Sequence, residues 1–210
     1  MNRAYYSDSI ENFHNRSVSE IQGILSDNNE FSLEKTQKDS WKYQIVKLQE
    51  ILQPYEGSIY FEYAIPRMGK RIDVLLIIKS IIFVLEFKVG EKDYDSHSID
   101  QVWDYALDLK NFHETSHEKL IIPVLIATKA PMVGQALTIS KKDDNLLDPI
   151  KSNIETLSVI IINALQFYGG YDVIDIKNWE NGRYQPTPTI IEAATALYNN
   201  HSVADISRSD

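Results

Sequence analysis

Three short apolar segments between residues 59 and 87 constrain the fold of this chain more than any other feature. The first, 59–65, alternates apolar with other residues, which is the period of a strand with one buried face. The next two, 71–78 and 81–87, are rich in β-branched residues and are separated only by Lys79 and Ser80, so they predict a tight antiparallel hairpin. Charged side chains interrupt the run from Ile72 to Val89 too often for a membrane span.

Helical periodicity flanks these strands. Apolar residues from Trp41 to Leu52 recur at spacings of three and four, which predicts a helix from about residue 32 that ends near residue 52. A second helix begins at an N-cap serine, Ser96 or Ser98, and 120–128 has the continuous apolar character of a strand covered on both faces. The predicted order is α-β-β-β-α-β, an α/β fold with a mixed sheet between helices.

The outer parts of the chain give weaker patterns. Residues 18–25 are weakly amphipathic, and 136–139 is a short strand candidate. A capping-box pattern at Ser152 and Glu155 predicts a helix from about Asn153 to the glycines at 169 and 170. Residues 179–186 are predicted as loop, and a last helix is predicted from 187 to about 199.

Composition excludes several classes of chemistry. The chain has 210 residues and no cysteine, so disulfides, thiolate zinc sites, iron–sulfur clusters and cysteine nucleophiles are excluded. Its net charge of −9 repels phosphate groups at long range, so any nucleic-acid site has to be local. Because the first residues lack an apolar signal segment, we expect a cytoplasmic protein that does not bind membranes.

Two carboxylates and a lysine lie inside the predicted hairpin strands. Burial of such charges is costly unless they are paired or bind a metal. Glu86 and Lys88 are two residues apart and share a face, and a turn at Lys79–Ser80 places Asp73 directly opposite Glu86. A cation between the carboxylates would relieve their repulsion, and Mg²⁺ (or Mn²⁺) fits ligands that are all oxygen. Lys88 would then orient a water molecule and stabilise negative charge on a phosphate.

The pattern of Asp73 on the second strand and Glu86-x-Lys88 on the third resembles the PD-(D/E)xK nuclease superfamily. The next helix carries Gln101 and Tyr105, whose spacing is similar to the QxxxY motif of the RecB-like and lambda-exonuclease-like branches. The two share one helical face, which we expect to lie away from the apolar stripe of that helix. The resemblance implies a restriction-endonuclease-like fold and metal-dependent hydrolysis of DNA.

The same resemblance implies two further site groups. The carbonyl of Phe87 would be an additional metal ligand. The superfamily also has an acidic residue on its first helix; the best positional match in this chain is Gln44, with Glu34 and Glu50 as alternatives. An amide at this position departs from the superfamily pattern.

Longer stretches, 65–73, 83–89, 100–113 and 184–194, resemble the N-terminal nuclease-like region of bacterial Schlafen-like DNA/RNA helicases. This resemblance implies a helicase or ATPase as a further domain or partner, although the chain itself contains no phosphate loop. We divide the chain into an N-terminal helical or irregular extension (1–31), a nuclease-like domain (32–170) and a C-terminal extension (171–210).

Local charge favours nucleic-acid contacts around the carboxylates. Residues 66–92 contain six basic and three acidic residues. Arg67, Lys70, Arg71 and Lys92 are the predicted contacts with the DNA backbone. From the QxxxY resemblance and the low overall attraction for duplex, we expect a preference for single-stranded, branched or end-bearing DNA, with Tyr105 stacking on a base.

A competing motif, His113-Glu114-x-x-His117, matches the H-E-x-x-H pattern of zinc metalloproteases. Thr115 and Ser116 are poor helix formers, so the motif is expected at a helix end, where His113 would have a capping or hydrogen-bonding role. The leading hypothesis is therefore a metal-dependent deoxyribonuclease. An inactive, nuclease-derived module that binds DNA or a partner is the first alternative, and a zinc protease is the second.

Overall fold

The computed structural model describes residues 3–29, 34–132, 145–170, 172–188, 190, 191 and 194. Its centre is a six-stranded mixed sheet with the strands in sequence order. The strands are β1 (Tyr6–Ser9), β2 (Ser58–Ile65), β3 (Lys70–Ile78), β4 (Ile81–Lys88), β5 (Leu120–Ala127) and β6 (Ile150–Ser152). Neighbours from β1 to β4 are antiparallel, and β4, β5 and β6 are parallel.

Helices cover both faces of the sheet. They are α1 (Ile10–Asn15), α2 (Val18–Asn28), α3 (Lys35–Leu52), α4 (Ser96–Phe112), α5 (Ile154–Tyr168) and α6 (Ile176–Glu180). The first three helices and α5 enclose one apolar core with the sheet, whereas α4 and α6 enclose the other. The predicted α/β class, with a mixed sheet flanked by helices, is confirmed.

The predicted order α-β-β-β-α-β is present as α3-β2-β3-β4-α4-β5. The turn between β3 and β4 lies at Lys79 and Ser80, as predicted. The φ of Lys79 is 54°, which is the left-handed conformation that tight hairpins need. Its register is the predicted one, from Ile78 opposite Ile81 to Val74 opposite Leu85. Local signals were sufficient here because a two-residue turn fixes the pairing of both strands.

The outer elements were predicted less well. The polar segment 6–9 gave no strand signal, yet β1 pairs with β2 along the edge of the sheet, and Phe13 and Leu25 of the predicted extension lie in the core. The N-cap of α5 is Asn153, which forms its capping box with Thr156 instead of Ser152 with Glu155.

At the C-terminal end, Ile176–Glu180 is helical where residues 179–186 were predicted as loop, because Asp175 caps a short turn and Trp179 is buried. The described residues 188, 190, 191 and 194 are helical, as predicted for the last helix. The strand candidate 136–139 lies outside the described residues, and the predicted domain boundaries stay a prediction.

The alternation of side chains in β2 changes phase at Glu62. Ile59 and Phe61 point into the core under α3, whereas Tyr63 and Ile65 point into the core under α4. The prediction of one buried face was therefore wrong: the first half of the strand is buried on both faces, since Tyr60 lies in the core under α4, and the second half is buried mainly on the α4 face. Glu62 has a φ of 53°, and this left-handed residue rotates the strand between the two halves.

The strand pair β3–β4 separates where the carboxylates lie. Their pairing ends at Val74 and Leu85, but β4 continues beside β5 as far as Lys88 and Ala127, and the β2–β3 hairpin continues to Ile65 and Lys70. The sheet forks at this point because β3 stays with β2 while β4 stays with β5. The fork is bordered by α3 on one face and α4 on the other.

Candidate active site

A cleft of about 610 Å³ opens at the fork of the sheet. Its walls come from the β2–β3 hairpin, from the start of α3 and from the exposed end of α4. The lining side chains include Tyr5, Gln37, Trp41, Glu62, Lys70, Arg71, Gln101 and Tyr105. The cleft therefore joins elements from both helical layers at one edge of the central strands.

Four of the predicted site residues form one hydrogen-bonded chain. Gln101 and Tyr105 of this chain line the cleft, whereas Glu86 and Lys88 lie behind them and are not among its lining residues. Lys88 Nζ donates to Glu86 Oε1 at 2.8 Å and to Gln101 Oε1 at 3.3 Å. Gln101 Nε2 donates to Glu86 Oε1 at 2.9 Å and to the Tyr105 hydroxyl at 2.8 Å. The structure thus brings together the lysine and carboxylate of β4 with the glutamine and tyrosine of α4.

Asp73 lies next to this chain, on the other branch of the fork. Its Oδ2 accepts a hydrogen bond from the backbone N–H of Phe87 at 2.8 Å. Extending the hairpin register by one residue would place Asp73 opposite Glu86, but the strand pairing ends just before that point. In a continued strand pair the N–H of Phe87 would donate to a backbone carbonyl. Here it donates to the Asp73 carboxylate, and this hydrogen bond holds the Asp73 side chain at the fork.

Burial and mutual repulsion act on the two carboxylates. The pKa of Asp73 is raised well above its usual value by burial and then by the negative charges of Glu86 and Glu62. Burial also raises the pKa of Glu86, although the contact with Lys88 opposes this effect. Burial disfavours the charge on Lys88, but Glu86 outweighs it and raises the pKa, so Lys88 is a cation that can stabilise negative charge.

The donor atoms fit a hard cation. Asp73 and Glu86 supply carboxylate oxygens, and Oε2 of Glu86 is buried without a hydrogen-bond partner in the described structure. Among the described residues, no group of three or more histidine, aspartate or glutamate side chains is close enough to hold a metal ion. Two carboxylates would therefore leave most of the coordination shell to water or phosphate oxygens, which Mg²⁺ accepts readily.

Tyr105 is oriented differently from the prediction. Only 2% of the residue is exposed, and it packs with Val102 and Ala106 of α4 in the core against the sheet. The expected face away from the apolar stripe is wrong, because α4 is turned so that this tyrosine points inward and only its hydroxyl end reaches Gln101. Its ring is therefore too enclosed to stack on a base, and burial raises its pKa to about 12.

The three candidates for the first-helix site residue lie in different surroundings. Gln44 is 3% exposed within α3, where its Nε2 donates to Ser40 Oγ, and it is not one of the residues that line the cleft. Of its alternatives, Glu50 forms an exposed ion pair with Lys47, whereas Glu34 lines the cleft. The side chain of Phe87 packs in the core, and the metal-binding role of its carbonyl stays a prediction.

Sequence reasoning missed Glu62, a partly exposed carboxylate on β2. Trp41 Nε1 donates to Glu62 Oε1 at 2.8 Å and Gln37 Nε2 donates to the same oxygen at 3.1 Å. Burial raises the pKa of Glu62, and its charge in turn acts on Asp73 and Glu86. In the predicted alternation Glu62 is at an outward position between Phe61 and Tyr63, so the sequence carried no signal for its place at the cleft.

The predicted basic contacts do not form one group. Lys70 and Arg71 line the cleft, and Arg71 stacks 3.9 Å from the ring of Tyr5 while its Nη1 donates to the backbone carbonyl of Glu62. Arg67 lies elsewhere: it pairs with Asp108 at 3.1 Å and stacks over Phe112. Lys92 is exposed and is not one of the residues that line the cleft.

The H-E-x-x-H motif lies at a helix end, as expected from its sequence. His113 caps α4, and Glu114–Ser116 forms a 3₁₀ turn, so the two histidines are not on successive turns of one α-helix. His113 is fully buried, its Nδ1 lies 2.7 Å from Ser116 Oγ, and a side-chain carbon at Gly182 would lie 3.0 Å from its Nε2. Glu114 is paired with Arg183. This geometry is unlike that of a protease zinc site.

No family model matches the sequence, and no curated protein and no solved structure matches it either. No helix among the described residues is long and apolar enough to cross a membrane. What the site can do is therefore argued from its geometry and chemistry.

Proposed function

We propose that this protein is a metal-dependent nuclease that hydrolyses phosphodiester bonds of DNA. The observation that carries the proposal is the hydrogen-bonded chain of Lys88, Glu86, Gln101 and Tyr105 beside Asp73, at the edge of an open cleft. Two carboxylates and a cation are the groups that metal-assisted phosphodiester hydrolysis needs, and here Asp73 and Lys88 are partly exposed while Glu86 is buried.

Each residue has a role in this reaction. Asp73 and Glu86 would hold Mg²⁺ or Mn²⁺, and the bound metal would activate water and neutralise charge on the phosphate. The Lys88 ammonium, held by Glu86, would stabilise negative charge that develops on the phosphate oxygens. Gln101 positions both groups, because its amide contacts the carboxylate and the lysine together.

The fold supports this reading. The succession α3-β2-β3-β4-α4-β5, in which an antiparallel hairpin is followed by a parallel strand, agrees with the restriction-endonuclease-like core that the sequence resemblance implies. Lys70 and Arg71 place positive charge on the cleft wall, where a DNA backbone would pass. Coupling to a helicase or ATPase rests on the Schlafen-like resemblance.

The test is cleavage of a substrate panel by the purified chain with Mg²⁺, Mn²⁺ or EDTA. The panel contains linear single strands, single-stranded circles, branched DNA, linear duplex and covalently closed duplex. We expect metal-dependent cleavage, with closed duplex the poorest substrate. Glu86→Gln should abolish the activity, and Asp104→Asn, which changes an exposed carboxylate on α4, should retain it.

Two results would contradict the nuclease proposal. Equal cleavage by wild type and Glu86→Gln would identify a contaminating enzyme. DNA binding that requires Lys70 and Arg71, without cleavage under any metal condition, would instead identify a binding module built on the same fold. Efficient cutting of closed duplex alone would overturn the expected substrate preference.

A further inference from the structure

Glu62 has an unusual backbone for a residue in the middle of a strand. Its φ is 53°, although Phe61 pairs with Val74 and Tyr63 pairs with Ile72 in one unbroken register. No extra residue is therefore inserted in the strand that would explain the left-handed conformation. Such conformations are strained at residues other than glycine, and they persist where the surrounding structure holds them.

Side chains of α3 fix the carboxylate of Glu62. The indole N–H of Trp41, a residue that is only 1% exposed, and the amide of Gln37 both donate to Oε1. Arg71 lies at the backbone of the same residue, since its Nη1 donates to the Glu62 carbonyl at 2.8 Å. One carboxylate oxygen is thus held by two donors, and the side chain is kept on the wall of the cleft.

The position of Glu62 relates it to the metal-binding candidates. The strand pairs on either side place it across from Asp73, so Asp73 has Glu62 on one flank and the Glu86 branch of the fork on the other. A third carboxylate adds repulsion to a pair that already repels, and the buried N–H of Trp41 needs only an acceptor, which an uncharged side chain would also supply. A hydrated divalent cation in the cleft would be attracted by all three charges.

We propose that Glu62 is the third acidic residue of this site and orients water molecules bound to the cation. This inference rests on the proposed nuclease function. The three carboxylates are not close enough to bind one ion directly, so Glu62 acts through metal-bound water. Mg²⁺ keeps several of its waters in proteins, and partners of such ligands strongly affect affinity.

Binding of Mn²⁺ to the DNA-free protein tests the proposal without relying on cleavage. Titration followed by electron paramagnetic resonance should show that Glu62→Gln, which keeps the size and the acceptor for Trp41, weakens Mn²⁺ binding roughly 10- to 100-fold. Glu62→Gly should weaken it similarly, because it also removes the carboxylate while it relieves the backbone conformation. Glu91→Gln, an exposed carboxylate after β4, is the matched control and should bind as wild type does.

The outcomes separate this inference from the proposed function. If Glu86→Gln loses Mn²⁺ while Glu62→Gln and Glu62→Gly bind it as tightly as wild type, the role of Glu62 is refuted and the nuclease proposal stands. If glycine restores the affinity that glutamine loses, the backbone and not the carboxylate is responsible, which also refutes the inference. If wild type neither binds Mn²⁺ nor cleaves DNA, both proposals fail.

Discussion

Helix α4 carries Gln101 and Tyr105 in its N-terminal half and the H-E-x-x-H motif at its C-terminal end, and the two motifs have different surroundings. At the N-terminal half, Gln101 contacts the charged pair on β4 and the hydroxyl of Tyr105, and both residues line an open cleft. At the C-terminal end, His113 is enclosed by Trp179 and Tyr184, with ring centroids at 4.8 Å and 5.4 Å. Both ends contain buried ionisable groups. At the first end Lys88 is partly exposed and Gln101 lines a cleft, whereas His113 is fully buried, and this separates a candidate site from a structural cluster.

The largest expected effect is on the rate of DNA cleavage, which should depend on the residues near the N-terminal half of α4 and not on His113. Lys88→Met removes the cation that faces the developing charge, so the rate of metal-dependent DNA cleavage should fall roughly 10²–10³-fold. Lys129→Met changes an exposed lysine after β5 and should leave the rate unchanged. Single-turnover cleavage measures both variants. A rate for Lys88→Met within a factor of two of wild type would remove the lysine from the mechanism.

His113→Ala should affect stability and not chemistry. The variant leaves a cavity against Trp179 and removes the hydrogen bond to Ser116. The free energy of unfolding, measured by urea denaturation, should therefore fall by about 2–4 kcal/mol. At a temperature where the variant is folded, cleavage and Mn²⁺ binding should equal those of wild type. One equivalent of zinc in the purified protein, lost in His113→Ala, would show that the motif binds metal after all.

The pH dependence of stability should also come from the His113 end. Burial, followed by the positive charges of Arg3 and His117, lowers the pKa of His113 to about 3, whereas Glu114 acts in the opposite direction. The folded protein thus favours the neutral ring. The free energy of unfolding should be unaffected by this residue above pH 7 and should fall by about 1.4 kcal/mol per pH unit below pH 6.5.

Urea denaturation of wild type and His113→Gln between pH 7.5 and 4.5 isolates this contribution, because the titrating carboxylates are shared by the two proteins. We expect the stability difference between them to shrink steadily as the pH falls. A difference that is constant over this range would show that the ring keeps its ordinary pKa in the folded protein, and a difference that grows would show that the ring is protonated there.

The smallest expected effect concerns charge repulsion in the cleft. Asp73→Asn keeps an acceptor for the Phe87 N–H but removes one of two carboxylates that repel each other, so in EDTA at pH 7.5 the variant should be more stable by about 1 kcal/mol. Thermal unfolding measures this change. Saturating Mn²⁺ should stabilise wild type more than the variant, and equal stabilisation of both would place the cation elsewhere.

Much of this arrangement could be predicted from local sequence. The turn at Lys79–Ser80 fixed the β3–β4 register, and the spacing of Glu86 and Lys88 placed them on one face, where they form an ion pair at 2.8 Å. Gln44 and Glu62 were not predictable in this way. Whether either reaches the cleft depends on the rotation of α3 against the sheet and on the phase change in β2, neither of which leaves a periodic pattern.

The sequence by itself determined the order of the central elements and the charged residues of the hairpin, because periodicity and a short turn act over a few residues. The tertiary structure decided which of those residues lie in reach of solvent. Separation of β3 from β4 opened the cleft, and packing of α4 turned Tyr105 inward and enclosed His113. These outcomes depend on contacts between segments far apart in the chain, which are set by the burial of both faces of one sheet.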